Sequence, residues 1–247
     1  LVRRRDPARK GFKHAHQGSF LRVVRRGTGL PLEIIQPEEE ARLAVVSCAP
    51  LVSTRTEQLL VVDIGGGSTE LVWIDLSSVP ATERPRAIMR LHAGFHPPES
   101  PFPAAKVVDW ISVPLGVATL KDQFSDVDDD AARFALMSWF FEENLADFSP
   151  YKAEQAREGF QIIGTSGTVT TVAASHLGLK RYDRTKVDGL RMTSDQIDRV
   201  IREYLSLGPD GRRNQRRAST ASAARRPESM APWRDAVSRW SPQTKSP

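Results

Sequence analysis

Residues 59–73, LLVVDIGGGSTELVW, place three consecutive glycines between two apolar runs. This pattern predicts a strand, a tight turn and a second strand, with Asp63 at the end of the first strand. Glycines leave room for close approach, and successive backbone N–H groups in such a turn can converge on an anion. We therefore predict a phosphate-binding hairpin here. The alternative is an ordinary glycine-rich hairpin whose turn is capped by Asp63.

The glycine turn matches neither of two common nucleotide-binding signatures. A dinucleotide fingerprint requires a third glycine at the position of Glu70, and a P-loop requires a lysine after its last glycine. A strand, a turn and a strand, with an aspartate at the end of the first strand, instead resemble the phosphate hairpin of actin-like ATPases.

A second loop of small and hydroxyl-bearing residues lies at residues 161–170, QIIGTSGTVT. It predicts a buried strand, a turn and the start of a helix, where free backbone N–H groups and hydroxyls can bind phosphate. The order GTSG at residues 164–167 differs from the G-x-S-x-G turn of hydrolases, so Ser166 is not predicted to be a nucleophile. A plain N-cap turn is the alternative interpretation of this loop.

The composition predicts a protein with a core of its own. Apolar residues make up 40% of the 247 residues, and the sequence contains one cysteine, Cys48. No stretch is long and apolar enough to span a bilayer, and the first residues do not resemble a signal peptide, so we expect a soluble, cytoplasmic protein. Cys48 lies in the apolar segment AVVSCAPLV and is predicted to be a buried small hydrophobic residue.

The net charge of +5 is distributed unevenly along the chain. Residues 1–26 carry a net charge of +8 and residues 211–247 one of +7, so residues 27–210 carry −10. Arginine-rich ends can bind nucleic acids nonspecifically. The central part, however, is acidic and would repel a polyanion, and aromatic residues are not regularly interleaved in the ends. We therefore do not expect a nucleic-acid partner.

Other segments are predicted from their local patterns. LEII at residues 32–35 predicts a strand. Pro37 followed by three glutamates predicts the start of a helix, because acidic side chains favour the positive end of the helix dipole. The proline-rich residues 77–103 are predicted to form a surface loop. Residues 131–148 predict a helix whose aromatic side chains pack in the core.

A resemblance to a known family rests on four segments: EIIQPEEEARL at residues 33–43, LLVVDIGGGSTELVW at 59–73, WISVPLGVATLKDQF at 110–124 and IIGTSGTVTTVA at 162–173. In this order they resemble the exopolyphosphatase/guanosine pentaphosphate phosphohydrolase (Ppx/GppA) family of the actin-like ATPase superfamily. The resemblance implies an α/β, ribonuclease-H-like fold in two lobes. It also implies magnesium-dependent removal of the terminal phosphate of polyphosphate or guanosine pentaphosphate (pppGpp). Actin-like sugar or acetate kinases fit less well, because EEEARL resembles the hydrolase branch.

The resemblance further implies a set of site residues. The catalytic residue is Glu40, which would orient and deprotonate the attacking water, and Glu39 is the obvious rival. Without the resemblance, both glutamates would be interpreted as solvated side chains at a helix start. Asp63 and Glu70 would bind Mg²⁺, which prefers oxygen ligands. The residues expected to bind the substrate phosphates are Gly65, Gly66, Gly67, Ser68, Thr69, Gly164, Thr165, Ser166 and Gly167.

The sequence departs from the family pattern at both ends. Family members carry a first phosphate hairpin of the type D-x-G-[ST]-N-S near their N-terminus, and this sequence contains none. We therefore expect a divergent basic segment at residues 1–26, a remnant of the first lobe at 27–50, the second lobe at 51–207, and a disordered or out-of-frame tail at 208–247. Such a chain would be weakly active or inactive, so a noncatalytic phosphate- or nucleotide-binding fragment is the alternative function. Apolar surface left by an absent lobe favours self-association, for example as a homodimer.

Overall fold

The computed structural model describes residues 7–92, 95, 103–152 and 158–223. The helices of this part of the chain are α1 (Pro7–Thr28), α2 (Pro37–Ser47), α3 (Arg84–Met89), α4 (Val117–Gln123), α5 (Asp130–Asn144), α6 (Ser149–Lys152), α7 (Ser166–His176), α8 (Arg184–Val187) and α9 (Ser194–Ala223). Its strands are β1 (Gln58–Ile64), β2 (Thr69–Asp75), β3 (Lys106–Val113) and β4 (Phe160–Thr165).

The strands form one mixed sheet in the order β3-β2-β1-β4. β2 is antiparallel to both β1 and β3, whereas β4 runs parallel to β1. The apolar runs on either side of the glycines form the β1–β2 hairpin, in which Asp63 is paired with Glu70. The hairpin, the second strand followed by a helix and the α/β fold class are therefore as the sequence predicts.

The sheet buries an apolar cluster on each face. On one face, Leu59 and Ile74 are fully buried and pack with Val45 of α2. On the other face, Trp73 stacks on Phe160 with ring centroids 4.9 Å apart, in the cluster that includes residues around the end of α5. Each large apolar side chain buried in this way stabilises the fold by about 1.5–3 kcal/mol. The two clusters hold the sheet between helices and fix the position of its polar end.

Helix α2 begins as its sequence predicts. Pro37 occupies the first turn with three glutamates, which interact favourably with the N-terminal end of the helix dipole. Ala41 and Val45 lie four residues apart on the buried side of the helix and are fully buried against the sheet. Glu40 directly precedes Ala41 in the helix. The packing of Ala41 against the sheet therefore fixes the backbone position from which the Glu40 carboxylate extends.

Three predicted elements differ from the structure. The helix predicted over residues 131–148 ends at Asn144, and its Phe134 and Trp139 side chains are exposed and not packed in the core. The LEII segment forms no strand and has exposed side chains, because no strand of the described residues pairs with it. The described part of residues 77–103 is not simply a surface loop, since it forms α3 and buries Ile88 and Leu91. Arg84, which is itself buried, ties this segment down by donating to the carbonyl oxygens of Val79 and Thr54.

The two ends of the described chain are helical. α9 does not stop at Gly208, where a φ of 61° produces a kink, but continues to Ala223. Alanine, arginine and glutamine favour helix formation, and this explains a helix in a segment predicted to be unstructured. Residues 224–247 of the predicted tail, and residues 1–6 at the other end, lie outside the described residues. No helix of the described residues combines the length and the apolar character that crossing a membrane requires.

Candidate active site

A row of four polar residues crosses the sheet at the end of β1. Thr165 of β4 is paired with Asp63, Asp63 with Glu70 of β2, and Glu70 with Ser112 of β3. Directly paired residues point to the same face of a sheet, here the face that packs against α2. The register therefore places two carboxylates between two hydroxyls, next to the start of α2.

The two carboxylates of this row are in different surroundings. Glu70 is only 2% exposed, and the Ser112 hydroxyl donates to its Oε1 over 2.8 Å. Asp63 is half-buried, and its Oδ1 is a buried atom with no hydrogen-bond partner in the described residues. The pKa of Asp63 is raised from its ordinary value. Burial is the largest cause, a hydrogen bond from Ser166 partly offsets it, and the charge of Glu70 adds to the rise. The Asp63 carboxylate thus has an acceptor atom available for a cation.

Glu40 is electrostatically coupled to both carboxylates. Its side chain is exposed overall, but the surrounding protein removes part of the water from the carboxyl group, and this desolvation is the main cause of its raised pKa. The charges of Glu70 and Asp63 raise the pKa further. A carboxylate with a raised pKa is a better proton acceptor than an ordinary surface glutamate.

Glu39 is held by a different group. Arg42 donates from Nε and Nη2 to its two carboxylate oxygens over 2.7 and 2.6 Å, and from Nη1 to the carbonyl oxygen of Leu91 over 2.8 Å. The hydrogen bond from Arg42 lowers the pKa of Glu39. A bidentate pair of this kind fixes the carboxylate and weakens it as a base. Of the two rival glutamates, Glu40 is therefore the one whose surroundings suit a base.

The glycine turn has free N–H groups and open space in front of it. Within the described part of the chain, no protein group accepts a hydrogen bond from the backbone N–H of Gly66, Gly67 or Ser68. At Gly66 and Gly67 a Cβ atom would meet no atom of the described residues within 4 Å, and neither residue has a φ in the left-handed range. Neither packing nor backbone conformation requires glycine at these two positions. A ligand that approaches the turn closely would explain why both positions are occupied by glycine.

The start of α7 provides a second set of free N–H groups. The N–H groups of its first turn, at Ser166 and Gly167, have no partner within the helix, and no side chain of the described residues caps them. Ser166 has a φ of 78°, an uncommon value for a residue other than glycine. The Thr168 hydroxyl donates to the carbonyl oxygen of Ile64 over 3.3 Å and ties this turn to the end of β1. Both loops therefore lie at the same end of the sheet.

Two of the predicted phosphate-binding residues also have structural partners. The Thr69 hydroxyl is buried and donates to the carbonyl oxygen of Leu115 over 2.6 Å. Gly164 precedes Thr165 in β4 and so points to the opposite face, where a Cβ atom would lie 2.9 Å from Cγ1 of Val169. Packing alone is a sufficient reason for a threonine and a glycine at these positions. Their contact with phosphate stays a prediction.

Sequence reasoning missed three residues that shape the site: Ser112, Arg42 and Gly116. Ser112 could have been found as the polar residue of a strand at an inward-facing position. Arg42 stands three residues after Glu39, a helical spacing that predicts an ion pair. Gly116 gave no such signal, because its importance comes from a contact with the glycine turn that is distant in sequence.

Cys48 lies beneath the polar row. The residue is 3% exposed, which confirms the prediction of a buried hydrophobic residue. Burial is the main cause that raises the pKa of its thiol, and the nearby charge of Asp63 raises it further. A thiol in these surroundings stays protonated and packs in the core as a small apolar side chain.

No three His, Cys, Asp or Glu side chains in the described ranges converge in the arrangement of a metal-binding cluster. Asp63 and Glu70 are paired across the β1–β2 hairpin, and Glu40 interacts with them through its charge.

Together these features define the class of protein. A mixed sheet with a glycine hairpin, a facing helix start and carboxylates between them is an α/β fold of the actin-like ATPase type, and the predicted fold class is confirmed. The chain belongs to the Ppx/GppA phosphatase family, whose model matches residues 13–219. The match overlaps both end segments, and the division into lobes and tails stays a prediction.

Solved structures agree with this assignment. The chain is similar to the Ppx/GppA family member of Aquifex aeolicus, with 28% identity and a TM-score of 0.55 over 82% of this chain and 56% of that chain. It is also similar to an exopolyphosphatase-like protein, with 28% identity and a TM-score of 0.60 over 80% and 55% of the two chains. An exopolyphosphatase from Cytophaga hutchinsonii, 18% identical, shares the fold with a TM-score of 0.52 over 76% and 52%. The chain thus spans a little over half the length of these proteins.

Proposed function

We propose that this chain is a phosphoanhydride hydrolase that releases the terminal phosphate of polyphosphate or guanosine pentaphosphate. The observation that carries the proposal is the electrostatic interaction of Glu40 with Asp63 and Glu70, together with a glycine turn whose three N–H groups have no partner among the described residues. Membership in the Ppx/GppA phosphatase family supports the same reaction. Release of inorganic phosphate from either substrate in the presence of Mg²⁺ tests it.

Substrate binding relies on backbone groups. The N–H groups of Gly66, Gly67 and Ser68 and those at the start of α7 would donate to phosphate oxygens, and the dipole of α7 favours the same negative charge. Backbone N–H donors recognise the charge and geometry of a phosphate group, but they do not recognise a nucleotide base or a sugar. This explains why the described residues suit any terminal phosphoanhydride and do not distinguish the two substrates.

The hydrolytic step uses Glu40 as a general base. A water molecule attacks the terminal phosphorus, its proton passes to the Glu40 carboxylate, and the electron pair of the broken P–O bond leaves with the bridging oxygen. The products are inorganic phosphate and a substrate shorter by one phosphate. In phosphoryl transfer the protein mainly positions the reactants and neutralises charge, so one base and a set of fixed donors are sufficient.

The residues of the polar row fit a magnesium ion. Asp63 offers a buried oxygen that has no hydrogen-bond partner among the described residues, and Glu70 offers a second carboxylate. Mg²⁺ prefers a few carboxylates completed by water and substrate phosphates. A bound Mg²⁺ would neutralise phosphate charge at the site. Ser112 would keep the Glu70 carboxylate oriented through its hydrogen bond to Oε1.

Replacing Gly66 or Gly67 by alanine should weaken ligand binding without destabilising the fold. Because the added Cβ meets no atom of the described part of the chain and the backbone is not left-handed, the free energy of unfolding should be unchanged or rise by up to about 1 kcal/mol. The methyl group would occupy space next to the phosphate-binding N–H groups. We expect the dissociation constant of tripolyphosphate, measured by calorimetry, to rise by about 10- to 100-fold.

The matched control is Gly27→Ala, a glycine of α1 that also has nothing within 4 Å of its Cβ position. This variant should bind tripolyphosphate as the unmodified chain does. Alanine variants at Gly66 and Gly67 that fold normally and bind with unchanged affinity would contradict the assignment of the turn.

As the pH is lowered, the activity should begin to decline at a pH above the ordinary pKa of a glutamate. The general base works only when deprotonated, and burial and the charges of Glu70 and Asp63 raise the pKa of Glu40. kcat/KM should therefore fall as the pH is lowered through this raised pKa. Glu39 cannot produce such a limb, since its pKa is lowered, whereas Asp63, whose pKa is also raised, contributes to the same limb. A pH–rate profile from about pH 4 to about pH 8 checks this, and a flat profile would contradict it.

We also propose a cytoplasmic location and leave self-association as a prediction. The buried, protonated Cys48 suits a reducing compartment. Sedimentation of the purified chain would determine its oligomeric state.

A further inference from the structure

The glycine turn is held from one side by the start of α4. The N–H of Val117 donates to the carbonyl oxygen of Gly65 over 3.1 Å, and the N–H of Ala118 to that of Gly66 over 2.8 Å. The Thr119 hydroxyl, whose single proton the two acceptors share, lies 3.3 Å from the carbonyl oxygen of Gly67 and 3.1 Å from that of Gly116. The three carbonyl groups of the turn are therefore directed toward one short helix.

The direction of these carbonyls determines the direction of the free N–H groups. In a planar trans peptide unit, the C=O of one residue and the N–H of the next point in opposite directions. The carbonyls of residues 65–67 belong to the same peptide units as the N–H groups of Gly66, Gly67 and Ser68. Because α4 holds the carbonyls, these three N–H groups point away from α4, and no protein group of the described residues accepts from them.

Gly116 allows this contact, and Thr119 strengthens it. A Cβ atom at Gly116 would lie 2.4 Å from the carbonyl carbon of Gly66 and 2.5 Å from the nitrogen of Gly67, a distance that backbone atoms cannot tolerate. The φ of Gly116 is −123°, so close approach and not conformation requires glycine here. The Thr119 hydroxyl accepts from the N–H of Gly116 over 2.7 Å and so joins the helix start to the turn.

We infer that Gly116 and Thr119 are positioning residues that direct the N–H groups of the glycine turn toward the substrate phosphates, an inference that rests on the proposed function. Both act through the turn and do not touch the substrate. The contact makes the orientation of three donors a fixed property of the fold, so these donors need no rearrangement when an anion binds.

Three variants test the inference: Thr119→Val, which removes the hydroxyl at nearly constant size, Thr119→Ser, which keeps it, and Gly116→Ala. The control is Thr185→Val, because the Thr185 hydroxyl donates to Asp183 at the start of helix α8, which belongs neither to α4 nor to the glycine turn. Amide hydrogen exchange at Val117 and Ala118 reports on the contact, and KM for polyphosphate reports on its function. For Thr119→Val we expect exchange at both amides to be about 3- to 10-fold faster and KM to rise by a similar factor, with kcat little changed.

The serine variant should restore both values, and Thr185→Val should change neither. Gly116→Ala should have the larger effect. If the Gly116→Ala variant does not fold, the result for Thr119→Val alone tests the inference. Unchanged exchange in Thr119→Val overturns the inference whether or not the chain hydrolyses any substrate. Faster exchange with an unchanged KM also overturns it. If the unmodified chain releases no phosphate, the dissociation constant of tripolyphosphate replaces KM, and an absence of binding refutes the positioning role together with the proposed function.

Discussion

Replacing Glu40 by glutamine should lower kcat for phosphate release by about 10²- to 10⁴-fold, the usual contribution of a positioned general base. Glutamine has nearly the same size and keeps the packing of the neighbouring Ala41, but it cannot take the proton of the attacking water. KM should change little, because the phosphates are bound by backbone groups of the two loops. Steady-state phosphate release from polyphosphate or guanosine pentaphosphate measures the effect.

Glu39→Gln is the matched control for this variant. The two glutamates are adjacent in the first turn of α2, yet Arg42 holds only Glu39 through two hydrogen bonds. Because the amide can still accept a hydrogen bond from Arg42, kcat should stay within about 3-fold of the original value. Full activity in Glu40→Gln, or a large loss confined to Glu39→Gln, would contradict the assignment of the base.

Asp63→Asn should combine a loss of activity with a gain in stability. Asp63 carries a buried oxygen that has no partner in the described part of the chain, and it faces the like charge of Glu70 across the hairpin. A neutral amide of the same shape removes this repulsion, so the free energy of unfolding in metal-free buffer should rise. The lost negative charge weakens the proposed cation site, and kcat/KM measured with Mg²⁺ should fall by about 10²-fold or more.

Asp128→Asn serves as the control, because Asp128 is exposed in the loop before α5. It should leave both the stability and kcat/KM unchanged. An Asp63→Asn protein that hydrolyses polyphosphate normally, or that unfolds more easily without metal, would refute the role assigned to this carboxylate.

The hairpin and its carboxylates were predictable because their signals are local. Apolar runs of strand length flank the glycines, and pairing across a two-stranded hairpin then aligns Asp63 with Glu70. The helix that carries Glu40 begins with proline and acidic residues, which are local signals as well. The choice between Glu40 and Glu39 needed the structure or a family resemblance, because both glutamates have the same local pattern.

Contacts between distant segments were not predictable. Residues 77–103 are rich in proline and were expected on the surface, but Ile88 and Leu91 enter the core because the buried Arg84 anchors the segment to Thr54. The role of Gly116 likewise depends on a turn about fifty residues earlier in the chain. Tertiary packing decides these positions, and a local sequence pattern does not record it.

The strand prediction for LEII was wrong, whereas the tail predicted at residues 208–247 is described only to residue 223 and stays a prediction. The LEII segment has the composition of a strand, but strand formation requires a partner, and no strand of the described residues provides one. In the opposite sense, the segment after Gly208 has little apolar periodicity but contains many good helix formers, and it is helical to Ala223.

The most direct test of the central claim measures phosphate release and binding on the same preparation. The chain is incubated with polyphosphate and, separately, with guanosine pentaphosphate, with and without Mg²⁺, and tripolyphosphate binding is followed by calorimetry. We predict magnesium-dependent release of inorganic phosphate that is lost in Glu40→Gln, while that variant still binds tripolyphosphate. Binding of tripolyphosphate without release of phosphate from either substrate would contradict the hydrolase and support a noncatalytic phosphate-binding protein.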